Sequence, residues 1–419
     1  MLNRSQQPEL QAIHKIDFVK PQQFDITSTV KLYFMKEVAN DTARFDLYFD
    51  AGTVKGEKGI PSFVNSLLLS GTQDKSSTLI HEQIDALGGF MESGISFESA
   101  VTSMFCLREN VLPLMHILID AIQNVAFFER EIDELVQDKK QGYLMNLEKV
   151  SFLAQRGFQQ RLFHTSENYS KVANLDYYET VSSSKLKSFY RENYLEGLFK
   201  VVVVGNLEQD AIDEIIDTIG KWSKPTTREF ETNIQNLPGN THIEKEGAVQ
   251  TAIRLGKILF NKTHEDYNDF VVLNTVLGDY FGSRLMSNIR EDKGYTYGIG
   301  SMLSEYNKFG YFMIATEVAS AFKDATLKEI KFEIEKLQTE LISEDELALV
   351  KNYLLGQLLK SADGPYSMMD LYSSAQIHGF DFEFYNKCIE DLHKITPERI
   401  KELAIKYLNW DEMTIVTAG

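Results

Sequence analysis

The alternation of apolar and polar residues predicts one succession of elements that occurs twice along the chain. Residues 45–49 alternate partly, as in a half-buried strand, and a helical apolar pattern runs from residue 60 to a stop at Gly71. Each half closes with a run typical of a buried strand, at residues 199–204 and 412–417. Because strands come first and helices later in both halves, we expect a duplicated unit of about 210 residues.

Further elements are expected between these landmarks. In the first half the pattern predicts helices at 78–87, 110–124, 129–153 and 182–194, and two strands within 90–107 that join near Gly94. In the second half it predicts strands at 251–259, 297–304 and 309–316, and helices at 266–277, 283–290, 322–339 and 343–360.

A polar stretch with three chain breakers separates the halves. Residues 223–240 contain Pro225, Pro238 and Gly239 among polar and turn residues. We therefore expect an α+β fold of two related domains, residues 1–222 and 241–419, joined by a linker at 223–240.

Composition excludes several classes of protein. Of 419 residues, 43% are hydrophobic and 25% charged, which is ordinary globular composition. Asp and Glu outnumber Lys and Arg by 61 to 43, for a net charge of -18. Binding to nucleic acid or an anionic membrane needs a basic surface, so neither partner is expected. The acidity suits basic peptides, although in most acidic proteins it serves solubility alone.

Cysteine usage and the absence of long apolar runs bear on location. Cys106 and Cys388 cannot build a disulfide framework and are expected to be reduced and buried. The polar first residues precede no apolar signal segment, and the longest apolar run, at 111–125, is interrupted by polar residues. These features predict a cytoplasmic protein with no membrane span.

Several segments resemble one known family. Residues 50–53 and 59–72 resemble the inverted-zincin region of the insulinase/pitrilysin (M16) peptidases. Residues 277–285 and 289–297 resemble the motif of the family's second half, and 203–207 and 351–356 are further similar pieces. The resemblance spans about residues 30–419 and is strongest to the processing-peptidase branch (M16B). It implies two tandem M16 domains, each a mostly antiparallel sheet packed with helices, that form half of a clamshell.

The zinc motif of that family is replaced in this chain. Active members carry His-x-x-Glu-His on the first helix, where two histidines bind Zn²⁺ and the glutamate acts as general base. The corresponding positions here are Ser62, Asn65 and Ser66. Neutral hydroxyls are poor zinc ligands, and an amide cannot take a proton from water. The third ligand, a Glu, should fall near Gly142, and Glu148 is the nearest candidate.

Two other kinds of active site find little support. No two of the eight histidines stand three or four residues apart, so no helix face presents a histidine pair to a metal. A serine-hydrolase reading of Ser62 or Ser66 lacks a nucleophile elbow of the type Gly-x-Ser-x-Gly.

The substrate-binding pair of the family is retained. The resemblance places Arg290 and Tyr297 where family members use an Arg and a Tyr to hold the substrate main chain opposite the zinc. Guanidinium and phenol groups both donate hydrogen bonds to a carbonyl oxygen that gains negative charge. The alternative is structural: Arg290 would pair with Glu291 or Asp292, and Tyr297 would fill a strand face.

The resemblance therefore implies a zinc-free, non-catalytic subunit that acts on peptides. Its partner would be an M16 chain that carries His-x-x-Glu-His and the zinc, in a heterodimer, or a second copy of itself. Another interpretation is a structural or peptide-binding protein that has kept the fold without catalysis. A third, an independent peptidase, requires the purified chain to cleave peptides in a chelator-sensitive manner.

Overall fold

Two separate sheets organise the computed structural model, which describes residues 13–36, 39–222 and 228–419. The six strands of the first sheet are β1 (Gln22–Asp25), β2 (Lys31–Lys36), β3 (Thr42–Phe49), β4 (Phe90–Ile95), β5 (Ala100–Leu107) and β6 (Leu198–Gly205). The five strands of the second are β7 (Gly239–Ile243), β8 (Gln250–Leu259), β9 (Thr296–Glu305), β10 (Gly310–Ala319) and β11 (Thr414–Ala418).

The two sheets repeat one topology. The first has the order β1-β2-β6-β3-β5-β4 and the second the order β7-β11-β8-β10-β9. Strand β2 runs parallel to β6, as β7 does to β11, and all the other pairings are antiparallel. Strand β1 is therefore an addition to a common five-stranded pattern. The predicted α+β duplication is confirmed, and the edge strands β4 and β9 are equivalent.

Helices follow the strands in both halves. The first half contains α1 (Ile60–Leu67), α2 (Ser77–Ala86), α3 (Val111–Gln123), α4 (Glu129–Leu147), α5 (Val150–Leu162), α6 (Asp176–Glu179), α7 (Ser183–Tyr190) and α8 (Gln209–Trp222). The second contains α9 (Tyr267–Leu277), α10 (Lys323–Thr339), α11 (Glu344–Ser361), α12 (Pro365–Gln376), α13 (Glu383–Lys394) and α14 (Pro397–Tyr407). Wider π-type turns span Arg191–Leu195 and Met286–Asp292, and single 3-10 turns span Arg108–Asn110, Ser320–Phe322 and Trp410–Glu412.

Two predicted boundaries are wrong. The helix predicted over 129–153 is two helices, because Lys149 adopts an extended conformation (φ -94°, ψ 121°) between α4 and α5. Strands β4 and β5 do not join near Gly94, which lies within β4. Their turn is at 96–99, where the Ser99 amide donates to the Ser96 hydroxyl (3.1 Å).

Each half covers a face of the other half's sheet. Helix α5 packs on the second sheet, where Gly157 allows close approach: a Cβ there would lie 2.7 Å from the Cδ1 atom of Ile243. In return, Met369 of α12 and Phe382 belong to a buried cluster with Val202 of β6. Buried on both faces, β6 is apolar along its continuous run of valines at 201–204.

The division of the chain at 223–240 stays a prediction. Residues 223–227 lie outside the described residues, and β7 already begins at Gly239. Across the described ranges, no helix has both the length and the apolar character needed to cross a bilayer.

Candidate functional site

Helix α1 carries the three positions, Ser62, Asn65 and Ser66, that the family resemblance aligns with the zinc motif. It begins after Gly59, which has φ +75°, and Pro61 occupies its first turn. A Cβ at Gly59 would lie 1.7 Å from the ring of Tyr177, so only glycine fits where the chain enters the helix. The apolar face of α1 is buried against the first sheet, and Ser66 is exposed.

Asn65 is committed to internal hydrogen bonds. Its side chain is 7% exposed, and its Oδ1 atom accepts a 3.0 Å hydrogen bond from the buried Tyr194 hydroxyl. Its Nδ2 atom donates to the main-chain carbonyl of Ser93, on the edge strand β4 (3.4 Å). Asn65 therefore ties α1 to the edge strand, and it supplies no general base.

A lysine side chain lies at the first position of the replaced motif. Lys139 of α4 donates a 3.1 Å hydrogen bond from its Nζ atom to the Ser62 hydroxyl, and the same ammonium is 5.6 Å from the centroid of the Phe63 ring. Burial lowers the pKa of Lys139 below its usual value. No carboxylate among the described residues forms an ion pair with this ammonium.

The third-ligand position holds no acidic side chain. Gly142 lies in the middle of α4, three residues after Lys139, and three-residue spacing places two positions on one helix face. Glu148 follows the end of α4, about 13 Å along the helix axis from Lys139 at 1.5 Å per residue. Its carboxylate pairs instead with Lys245 of the second half (2.7 Å). Glu148 is thus engaged away from Ser62.

Zinc does not fit these residues. By the resemblance, two hydroxyls and an amide stand where active family members have two imidazoles and a carboxylate. The ammonium of Lys139 beside them is a positive charge that a dication would have to approach. Within the described ranges, no group of three or more His, Cys, Asp or Glu side chains is arranged to hold a metal ion.

Arg290 and Tyr297 lie on two neighbouring elements of the second half. Arg290 is in the π-type turn Met286–Asp292, which packs against β9, and Tyr297 is on β9 itself. The guanidinium of Arg290 lies 4.7 Å from the centroid of the exposed Phe281 ring. It forms no ion pair with Glu291 or Asp292, and Tyr297 is 95% exposed. Among the described residues, therefore, Arg290 does not pair with its acidic neighbours and Tyr297 does not fill a strand face, as the structural alternative would require.

A bulge turns Tyr297 outward. Opposite Glu317 of β10, β9 has two residues, Tyr297 and Gly298, where regular pairing would place one. The Thr296 hydroxyl donates to the Glu317 carbonyl (2.8 Å), and the Thr316 hydroxyl donates to the Gly298 carbonyl (2.9 Å). These threonines hold the bulge. Neither was predicted from the sequence, because a bulge leaves no signal in apolar periodicity.

The two groups of residues occupy equivalent edges of the duplicated unit. Strand β4 beside α1 and strand β9 with Tyr297 end their respective sheets, and each leaves one side of its main chain unpaired within its sheet. Among the described residues, no hydrogen bond or ion pair joins Arg290 or Tyr297 to Ser62, Asn65 or Ser66. The chain thus presents the two groups separately.

Comparisons with known proteins agree with this architecture. A family model described as "Insulinase (Peptidase family M16)" matches residues 34–169, and one described as "Peptidase M16 inactive domain" matches residues 180–354. An uncharacterized zinc protease of Rickettsia felis is 27% identical over 371 residues, which cover 83% of this chain and 81% of that protein. The uncharacterized zinc protease YmxG of Bacillus subtilis is 22% identical over 358 residues, covering 83% and 85%.

Solved structures share the fold over nearly the whole chain. The peptidase M16 inactive domain from Pseudomonas fluorescens superposes with a TM-score of 0.87 at 21% identity, covering 96% of this chain and 98% of that one. A protease from Helicobacter pylori gives a TM-score of 0.83 at 14% identity, covering 96% and 99%. The two family models match the first and second halves in order, and the chain belongs to the M16 (insulinase-like) peptidase family.

Proposed function

We propose that this chain is the zinc-free subunit of an M16B-type metallopeptidase. A partner M16 chain carries His-x-x-Glu-His with its zinc and performs the hydrolysis. This chain supplies Arg290 and Tyr297 and completes the wall of the chamber in which peptides are cleaved. A second copy of this chain is the alternative partner, and it would bring no zinc motif.

The exposure of Tyr297 carries the proposal. A phenol that is 95% exposed, on a bulge held by two threonine hydroxyls, contributes little to the fold of its own chain. Together with Arg290 it offers donors of fixed geometry, suited to a substrate carbonyl oxygen as negative charge develops on it. An extended peptide could also pair with the main chain of an edge strand, which gives affinity without strong sequence preference.

The replaced motif supports the assignment of catalysis to the partner. Ser62 and Asn65 are both engaged by hydrogen bonds within the chain, to Lys139 and Tyr194 respectively. Neither is poised to hold a metal or to activate water. The chain therefore needs a second active-site half if it takes part in cleavage.

Reconstitution with the partner tests the proposal. The chain is purified from its native lysate, bound proteins are identified by mass spectrometry, and the pair is rebuilt from purified subunits. The double variant Arg290→Ala, Tyr297→Phe should assemble normally and lower peptide cleavage by about tenfold or more, as loss of transition-state donors does. Arg130→Ala with Tyr353→Phe, away from β9, is the matched control and should leave cleavage unchanged.

Two results would contradict the proposal. Unchanged cleavage by the double variant would remove Arg290 and Tyr297 from the site. Recovery of the chain alone, or only as a homodimer, would favour a structural or peptide-binding role.

The contact between Lys139 and Ser62 raises a second candidate activity. A serine hydroxyl beside a lysine with a lowered pKa is the pairing that some hydrolases use to activate the nucleophile. The purified chain alone should nevertheless leave peptides intact, because Ser62 lies within α1 and not at an exposed elbow. Cleavage by the chain alone that Ser62→Ala abolishes would establish this second activity instead.

A further inference from the structure

A cavity of about 280 Å³ lies where the two halves meet, away from α1 and from Tyr297. Lys200 of β6 and its cross-strand neighbour Tyr48 of β3 contribute to its lining from the first half. Glu305 and Asn307 come from the turn region between β9 and β10, and His378 follows α12. The cavity is therefore built by elements of both sheets and is independent of the proposed peptidase role.

Lys200 is buried without a counter-charge. It is 3% exposed, and no hydrogen bond or ion pair involves its ammonium in the part of the chain that the structure describes. Its contact is with the Tyr48 ring, whose centroid lies 4.0 Å from Nζ. A cation–π contact offsets only part of the cost of removing an ammonium from water.

Two other cations that line the cavity, Arg228 and Lys262, already have carboxylate partners. Arg228 pairs with Asp50 (3.1 Å) and donates to the Glu98 carbonyl (2.9 Å). The Glu98 carboxylate accepts hydrogen bonds from the Tyr169 hydroxyl (2.5 Å) and from both nitrogen donors of Asn307 (3.0 and 2.6 Å).

The charged groups on the opposite wall and on the sheet beneath Lys200 are paired as well. Lys262 lies 3.0 Å from the Glu305 carboxylate and donates to the Ser374 hydroxyl (2.9 Å). The acids whose charges act on Lys200 are Asp46 and Asp370, and both pair with Arg44 (3.0 and 2.6 Å). Lys200 is thus the cavity-lining cation without a carboxylate within ion-pair distance among the described residues.

We propose that this cavity binds a small oxyanion, a phosphate or a carboxylate compound, through the ammonium of Lys200. An oxyanion supplies the missing counter-charge and accepts charge-assisted hydrogen bonds from the ammonium. The volume admits a small molecule and excludes a folded partner. Because the cavity exists only where the two halves are packed together, an anion bound there would stabilise the folded chain.

Titration of the full chain tests the proposal. Sodium phosphate and sodium malonate are titrated by calorimetry and in thermal unfolding, with sodium chloride at matched ionic strength as reference. At least one of the two anions should bind saturably and raise Tm beyond the chloride reference. Lys200→Met should weaken that binding at least tenfold, whereas Lys308→Met, an exposed lysine of the neighbouring turn, should leave it unchanged.

The outcomes separate the ligand classes and can overturn the proposal. A response to phosphate alone identifies a phosphoryl ligand, and a response to malonate alone identifies a carboxylate. Absence of saturable binding of both anions would contradict the proposal. Equal affinity in the wild type and Lys200→Met would place any binding at a site other than Lys200 and would contradict it too. The Met variant should remain folded, because an apolar side chain of similar length replaces an unpaired buried charge.

Discussion

Lys139 donates its hydrogen bond to Ser62 at the point where the family resemblance places the first zinc ligand. The two residues are far apart in sequence and are brought together because α4 crosses α1. By that resemblance, a hydroxyl that accepts a hydrogen bond from a cation lies where active family members have an imidazole that binds a dication. The ammonium of Lys139 thus lies where, by the resemblance, a zinc ion would otherwise be bound.

This contact predicts that restoring the histidines is not sufficient to restore zinc binding. Ser62→His with Ser66→His recreates the i, i+4 pair, but the ammonium of Lys139 repels a dication across a partly buried site. Adding Lys139→Met should tighten zinc binding at least tenfold, measured by competition with a chelator.

The neighbouring lysine supplies the control for this experiment. Lys140 is paired with Glu179 at 3.6 Å, so Lys140→Met in the same histidine background should not improve zinc affinity. Equal zinc affinity with and without Lys139→Met would mean that its charge does not act on the site.

Asn65 is predicted to be a stabilising residue. Asn65→Ala removes the acceptor of the Tyr194 hydroxyl and leaves a buried polar group unsatisfied, which costs about 1–3 kcal/mol. Urea unfolding should show this loss, and the added change Tyr194→Phe should recover part of it. Ser66→Ala, on the exposed side of the same helix, should change the free energy of unfolding by less than about 0.5 kcal/mol. A loss as large at Ser66 as at Asn65 would refute this assignment.

Local periodicity was sufficient to predict the duplicated fold, since apolar alternation marks β3 and its equivalent β8 on either side of the boundary. It did not predict the exchange of covering helices. Helices α12 to α14 were not predicted at all, and α12 packs on strands of the other half, more than 150 residues away in sequence. Contacts of this length leave no pattern within a sequence window.

The candidate site stays a prediction that rests on residues absent from the motif, and the contact between Lys139 and Ser62 was not foreseen. The family pattern predicts a glutamate near Gly142. Lys139 lies on the same face of α4 and does not belong to that pattern, so its role was not predicted. The three-residue spacing between Lys139 and Gly142 was the feature of the sequence that could have indicated it. The roles of Arg290 and Tyr297 stay predictions, and the 95% exposure of Tyr297 was not visible in the sequence.

Substitution by alanine is expected to have opposite effects on stability at two glycines of the first half. Gly52→Ala should strongly destabilise the chain, because the new Cβ would lie 2.2 Å from the main-chain oxygen of Phe97. Gly142→Ala, within α4 and with no atom within 4 Å of its Cβ position, should stabilise by about 1 kcal/mol through helix propensity. Chemical denaturation of both variants measures the difference. A Gly52→Ala variant as stable as the wild type would mean that the turn can move away from β4.

Lys200 predicts a stability difference that depends on pH. Burial lowers its pKa from 10.5 to about 8, with Asp46 and Asp370 opposing the shift and Arg228 and Arg44 adding to it. Below pH 8 the folded chain carries the full cost of the buried ammonium. Between pH 8 and 10.5 the unfolded chain binds the extra proton, so the stability of the wild type rises with pH relative to Lys200→Met.

The gap in unfolding free energy between the wild type and Lys200→Met should change by about 1 kcal/mol from pH 7 to pH 9, at 1.36 kcal/mol per pKa unit. Urea unfolding in anion-poor buffer measures it, and taking the difference cancels groups that titrate equally in both. A gap that stays constant across this range would show that the ammonium is hydrated inside the cavity and keeps its ordinary pKa.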